Sequence, residues 1–128
     1  MERTQQKPIT EAPPASKAHN RAALVARALG LPTNWKPDEH LGETLHFLTV
    51  WTQHELNRLY IRVGGTVTHQ LVTRTSDDGA TTWPATEITL TVHVPNVGDV
   101  QIVTDWDADS GGTDLPIMRH IPAAELIA

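Results

Sequence analysis

Three segments in the second half of the chain alternate between apolar and polar residues, and this pattern constrains the fold more than any other feature. Residues 66–75, 86–94 and 99–106 each place every second side chain on one apolar face. A period of two is typical of a strand with one face buried and one face in water. The connector PNVGD is short enough to join the second and third segments as antiparallel neighbours. The pattern predicts a three-stranded antiparallel β-meander. The residues on the apolar faces are Val67, His69 and Leu71, then Ile88, Leu90, Val92 and Val94, then Val100, Ile102 and Trp106.

A short amphipathic helix is expected before the strands, from residue 20 to residue 29. Asn20 is a suitable N-cap, and Gly30 followed by Pro32 supplies a stop. The apolar residues Leu24, Val25, Ala28 and Leu29 fall on one face of this helix.

Residues 38–63 are harder to assign, because leucines at helical spacing occur among residues with strand preference. Between Glu43 and Val63 there is no glycine, proline or other turn signal that could join two strands. We therefore predict one long helix from Asp38 to about Arg62, ended by Gly64. The alternative is a hairpin in which LYIRV and TVTHQ pair across Gly64 and Gly65.

These elements define an α+β domain, with two N-terminal helices packed on the three-stranded meander and a short C-terminal helical turn after Pro122. Residues 19–128 form this single domain, near the usual domain size of about 100 residues. Residues 1–18 contain three prolines and little apolar surface, so we expect them to form a flexible arm.

The stretch SDDGATTW, residues 76–83, resembles the Asp-box of sialidases and related β-propellers. Ser76, Asp78, Thr82 and Trp83 match that motif, whereas Ala80 stands where the family has glycine. In that family the motif is structural, with the aspartate and serine holding a hairpin turn and the tryptophan tucked beneath it. A propeller repeats the motif in every blade and this chain has it once, so the resemblance implies a turn and no glycosidase activity.

Composition excludes several classes of protein. The chain has no cysteine, which excludes disulfides, thiolate metal sites and cysteine nucleophiles, and no apolar run approaches the roughly 18 residues of a membrane span. The first 20 residues contain no apolar run, so we expect no secretory leader. We expect a cytoplasmic protein, or a virion protein if a phage encodes it, because seven arginines against three lysines are typical of high-GC bacteria and their phages.

The charge is unevenly distributed along the chain. Residues 1–37 carry six bases and two acids, a net charge of +4, whereas residues 38–128 carry four bases and thirteen acids, a net charge of −9. A basic arm on an acidic body predicts that the arm contacts an anionic partner, and the alternative is a solvated tail without a partner. The candidate contact residues are Lys7, Lys17, Arg21 and Arg27.

The order of helix, strands and helix is similar to that of the double-stranded RNA-binding domain, which binds phosphates with a basic terminal helix. Here the terminal segment has one basic residue, Arg119, against one acidic residue, Glu125, and the sheet is acidic. We therefore expect no direct nucleic-acid binding by the body, and at most weak phosphate contacts by the arm.

The loop DWDADSGGTD places aspartates at the first positions of a calcium-binding loop, but the match then fails. Ser110 replaces the required glycine, Pro116 replaces the bidentate glutamate, and the loop follows a strand. No two histidines occur at i and i+4 on the predicted long helix. We expect no metal and no cofactor. The weak metal-binding candidates are Asp105, Asp107, Asp109 and Asp114.

Catalytic motifs are also lacking in the sequence. None of Ser16, Ser76 and Ser110 lies in a Gly-x-Ser-x-Gly elbow, and no glycine-rich loop precedes a helix. An acid and base pair formed only in the fold remains open, so the sequence favours a non-enzymatic role without excluding an enzyme.

The sequence favours a protein–protein interaction or assembly module with a protein partner or a homo-oligomeric state. Besides the basic arm, the apolar C-terminal segment could bind a partner, or could instead fold back to close the sheet. One alternative function is an acidic inhibitor that occupies a nucleic-acid-binding site on another protein, through Asp99, Asp105, Asp107, Asp109 and Asp114. A second is a small binding or catalytic domain with a pocket between helix and sheet. The apolar residues of the C-terminal segment are Leu115, Ile117, Met118, Ile121, Leu126 and Ile127.

Overall fold

The computed structural model describes residues 14–110 and 113–126, with side chains from residue 20 onward. The fold is α+β, with two α-helices and a four-stranded mixed sheet, and the predicted class is confirmed at that level. The helices and strands are α1 Pro14–Leu29, β1 Phe47–Thr49, α2 Gln53–Val63, β2 Thr66–Thr75, β3 Thr82–Val94 and β4 Gly98–Asp105. Within the described residues, short 3₁₀ helices span Glu39–Leu41, Pro116–His120 and Ala123–Glu125.

The sheet has the strand order β1-β4-β3-β2. Strands β2, β3 and β4 pair as an antiparallel meander, as the alternating pattern predicts. The short strand β1 adds to β4 in parallel, with Phe47 beside Gln101 and Thr49 beside Val103. The expectation of a purely antiparallel sheet of three strands is therefore wrong, because it left out β1.

The predicted long helix from Asp38 to Arg62 is also wrong. The segment contains a 3₁₀ turn, strand β1 and the shorter helix α2. Helix α2 begins at a capping box, in which the Thr52 side chain accepts from the Glu55 N–H and the Glu55 carboxylate accepts from the Thr52 N–H. No hairpin turn is needed before α2, because β1 pairs with a distant strand. The alternative hairpin across Gly64 is likewise absent, since α2 continues to Val63.

Helix α1 begins at Pro14, so residues 14–18, which the sequence assigned to the arm, are helical, and Asn20 lies inside the helix. Proline is well tolerated at the start of a helix because its missing N–H would have no partner there. The predicted end of the helix is confirmed, since Gly30 adopts a φ of 71° that favours glycine. The remainder of the arm, residues 1–13, lies outside the described residues.

The core lies between one face of the sheet and a layer made of α1, α2 and the C-terminal segment. Alternation along the strands places their apolar side chains on this face, opposite Val25 and Leu29 of α1 and Leu56 of α2. The strand residues of the core are Leu48, Ile88, Leu90, Val92, Val94, Val100 and Ile102.

The C-terminal segment folds back onto the body. Ile117, Met118 and Ile121 are buried in the core. The Ile117 N–H donates to Oδ1 of Asn57 at 3.0 Å, and the Tyr60 hydroxyl and the His120 ring are 2.8 Å apart. These three side chains complete the chain's own core, as in the alternative of a segment that folds back, whereas Leu115 is partly buried. Whether the segment binds a partner stays a prediction. Within the described part of the chain, no helix is long and apolar enough to cross a membrane.

Candidate interaction surfaces

The sheet face opposite the helices is open and rich in polar side chains. Strand alternation that buries Ile88 and Leu90 directs their neighbours to this outer face. Thr89 and its cross-strand partner Val103 also lie on this face. Both are nevertheless buried, because the side chains around them cover them. Threonines predominate on this face, where Thr49, Thr66, Thr68, Thr89 and Thr91 share it.

An ion-pair network crosses the outer face. The Arg74 guanidinium donates to both Asp105 carboxylate oxygens, at 2.6 and 2.9 Å, and to Oε2 of Glu87 at 2.7 Å. Gln70 Nε2 donates to the other oxygen of Glu87 at 3.0 Å. Chiefly the hydrogen bonds to Asp105 raise the pKa of Arg74 above its already high ordinary value. Arg74 therefore stays charged and neutralises two acids on this face.

Strand β2 forms one edge of the sheet, and no described strand pairs with its outer side. It is ten residues long, pairs with β3 without interruption, and contains neither glycine nor proline. Leu71, near its middle, is 63% exposed. His69 is held against the C-terminal segment through a hydrogen bond to Glu125. The edge is thus uninterrupted, and no described strand occupies it.

A groove of about 570 Å³ lies between the C-terminal end of α1 and one face of α2. Its apolar lining includes Leu31, Val50 and Leu59, and its rim carries Arg58 and Arg62. The groove lies within the layer of helices. From the sequence, a pocket between helix and sheet was one alternative. The seam between α2 and the sheet is instead filled by core side chains.

The aspartate loop is held as a turn by its own side chains. The Asp107 carboxylate accepts from the Asp109 N–H at 2.9 Å and from the Ser110 hydroxyl at 3.1 Å. Asp105 is engaged by Arg74, and Asp114 is exposed. Among the described residues, no group of three or more histidines and carboxylates could hold a metal ion.

The hairpin between β2 and β3 has the turn that the Asp-box resemblance implies. The Asp78 carboxylate accepts from the Ser76 hydroxyl at 2.6 Å and from the Ala80 N–H at 2.9 Å, and these bonds lower the pKa of Asp78. Gly79 supplies the positive φ of 73°. Trp83 departs from the resemblance, because it lies on the outer face and is 44% exposed. It is not tucked beneath the hairpin.

The basic residues proposed for partner contact are only partly described. Arg21 and Arg27 are exposed on α1. Lys17 belongs to α1, but its side chain lies outside the described residues, as does Lys7 altogether. Whether these residues bind a partner stays a prediction.

The described serines and two histidines form no nucleophile and base pair with one another. The hydroxyls of Ser76 and Ser110 donate to turn carboxylates. The rings of His46 and His93 both contact Asp99, one at its carbonyl oxygen and one at its carboxylate, on an exposed end of the sheet. These contacts hold turns and strand ends.

Both the β2 edge and the groove were missed as sites from the sequence. The edge could have been found, since residues 66–75 lack the prolines that often protect edges and carry one arginine as their only Lys, Arg, Asp or Glu residue. The groove could not, because it depends on how α1 and α2 cross. A comparison of the chain with protein-family models, with curated proteins and with solved structures finds no significant match.

Proposed function

We propose that this chain is a non-enzymatic assembly module that associates with a second copy of itself through the free edge of β2. The observation that carries the proposal is the unprotected ten-residue edge strand. An unpaired strand edge presents a row of N–H and C=O groups that can template pairing with another chain.

Natural sheets block such edges with prolines, bulges, short strands or outward charges. Strand β2 has no proline, is ten residues long and pairs with β3 without a bulge. Its only charged side chain apart from histidine is Arg74, which is bound to Glu87 and Asp105 and so does not repel a neighbour. The opposite edge, β1, is only three residues long and follows the usual protected design.

Strand β2 is well suited to pair with itself about a two-fold axis. An antiparallel pairing centred on Leu71 would place Arg74 opposite Thr68 and Thr75 opposite Val67, so the arginines of the two copies would not face each other. The two exposed leucines would meet at the centre and lose their contact with water, which favours association. The result would be one continuous sheet across both copies, the mode known as β-augmentation.

The other two functions receive less support from the geometry. An acidic mimic of nucleic acid needs its carboxylates on one surface, but Asp99 and Asp105 lie at opposite ends of β4, and Arg74 neutralises Asp105. A binding site between helix and sheet needs space there, and Leu56, Leu90 and Ile102 fill that seam.

Sedimentation velocity of the full chain over a range of concentrations tests the proposal. We expect the wild type to form dimers as concentration rises, and Leu71→Lys to remain monomeric, because two lysines would face each other at the centre of the paired strands and repel. Far-ultraviolet circular dichroism checks that the variant keeps its secondary structure.

Ile61→Lys is the matched control, since Ile61 is also 63% exposed but lies on α2, away from the edge. This variant should dimerise as the wild type does. A wild-type chain that stays monomeric at every concentration, or a Leu71→Lys variant that still dimerises, would exclude association through β2.

A further inference from the structure

We infer that the groove between α1 and α2 binds an acidic, apolar segment of a partner protein. This inference goes beyond self-association, because the groove lies in the helical layer and the β2 edge lies in the sheet. The chain would then join a copy of itself at one surface and a different protein at the other.

The lining of the groove includes several apolar side chains that remain partly open to solvent. Leu31, Val50 and Leu59 form its half-buried lining, and Ile61 at the rim is 63% exposed. Trp51, which follows Val50 in the chain, is 81% exposed but does not line the groove. Apolar residues that cluster at a concave surface are typical of protein-binding sites.

The charged residues that line the groove favour an acidic partner. Residues 38–128 carry only four arginines and no lysine, and two of these arginines, Arg58 and Arg62, line the groove. Neither makes an ion pair or hydrogen bond in the described part of the chain, unlike Arg74. The one acid in the lining, Glu55, is occupied by the N–H groups of Trp51 and Thr52.

Gly30 leaves room for the Arg62 guanidinium beside the end of α1. A Cβ at this position would lie 2.6 Å from Nε and Cζ of Arg62, so a larger residue would displace the guanidinium. The exposed guanidinium is accessible to a carboxylate of a partner.

A peptide segment fits these features better than a nucleic acid does. Nucleic acid would need a wider basic surface, whereas the body beyond the groove is acidic. The open groove of about 570 Å³ can hold several side chains of a short segment. Apolar side chains would fill the lining, and carboxylates three or four residues apart would reach Arg58 and Arg62, which are themselves one helical turn apart.

Selection of a random peptide library displayed on phage against the full chain tests the inference. We expect the enriched peptides to combine aliphatic or aromatic residues with at least two acids. Synthetic copies of these peptides should bind the wild type, and binding should weaken about tenfold for each of Arg58→Ala and Arg62→Ala, the effect of losing one charge-assisted contact.

Arg119→Ala is the matched control, because Arg119 is exposed and lies outside the groove lining. It should bind these peptides as the wild type does, and so should Leu71→Lys, which separates groove binding from self-association. Ile61→Ser should weaken binding without a change of charge. Failure to enrich any peptide, enrichment of neutral or basic peptides, or equal binding by the Arg58→Ala and Arg62→Ala variants would overturn the inference.

Discussion

At the scale of single residues, Gln53 holds together elements that are far apart in the chain. Its side chain is fully buried at the start of α2. Its Nε2 donates to the Asp107 carbonyl oxygen, and its Oε1 accepts from the Asp107 N–H at 3.1 Å. The amide thus satisfies both backbone groups of the residue that follows β4 and Trp106, as a neighbouring strand would.

Gln53→Leu should lower the free energy of unfolding by about 1–3 kcal/mol, because both Asp107 backbone groups would lose their partner while the side-chain volume stays similar. Urea unfolding followed by circular dichroism measures the change. An unchanged free energy of unfolding would mean that water replaces the amide at no cost.

Gln53→Glu is the informative companion variant. The introduced carboxylate can accept from the Asp107 N–H but repels the carbonyl oxygen, so burial should raise its pKa. Its penalty is then full above the raised folded-state pKa and disappears as the pH falls below the unfolded-state pKa. Relative to wild type at each pH, this variant should therefore regain stability on acidification, whereas Gln53→Leu should not.

The sequence did not reveal the role of Gln53, because the prediction placed it inside one long helix and its partner, Asp107, lies 54 residues further along the chain. Alternation, by contrast, correctly placed Ile88, Leu90 and Ile102 in the core. A core residue that belongs to an alternating strand pattern can be predicted from the nearby sequence. A residue whose hydrogen-bond partner lies on another element cannot be predicted in this way.

At the scale of elements, the start of α2 depends on its capping box. The Thr52 hydroxyl accepts from the Glu55 N–H at 3.2 Å, and Glu55 accepts from the N–H groups of Trp51 and Thr52. The Thr-x-x-Glu spacing was visible in the sequence. Leucines at helical spacing lie on both sides of it, so the sequence predicted one continuous helix that includes Thr52.

Thr52→Ala should destabilise the protein by about 1 kcal/mol, since one N–H at the start of α2 would lose its acceptor. Thr52→Ser, which keeps the hydroxyl, should retain most of the stability. A double-mutant cycle with Glu55→Ala should show coupling, because each side chain caps the other's backbone. Additive effects in thermal unfolding would argue against a reciprocal cap.

At the scale of the whole molecule, the antiparallel meander was predictable and the complete sheet was not. Strands β2, β3 and β4 follow one another in the chain, so short connections and a period of two identify them together. Strand β1 has only three residues, too few for a periodic signal, and its partner β4 comes much later in the sequence. The two candidate surfaces depend on this arrangement of elements and could not be located before it was known.

The parallel pairing of β1 with β4 has a consequence for the order of folding. Helix α2 and strands β2 and β3 lie between these partners in the chain, so closing this contact costs more chain entropy than forming either hairpin. We expect the meander to form first and β1 to join last. In the native state β1 should also detach first, as a local opening that leaves the remaining strands paired.

Native-state hydrogen exchange should therefore distinguish the contact between β1 and β4 from the rest of the sheet. The Val50 N–H, which donates to the Val103 carbonyl at 3.0 Å across the β1 contact, should exchange faster and with less denaturant dependence than the Leu90 N–H in the central strand β3. Equal protection of both amides would show that β1 opens only when the whole chain unfolds. If β1 docks slowly, the edge of β4 that it pairs with stays open during folding. That edge would then be the last part of the molecule to become native.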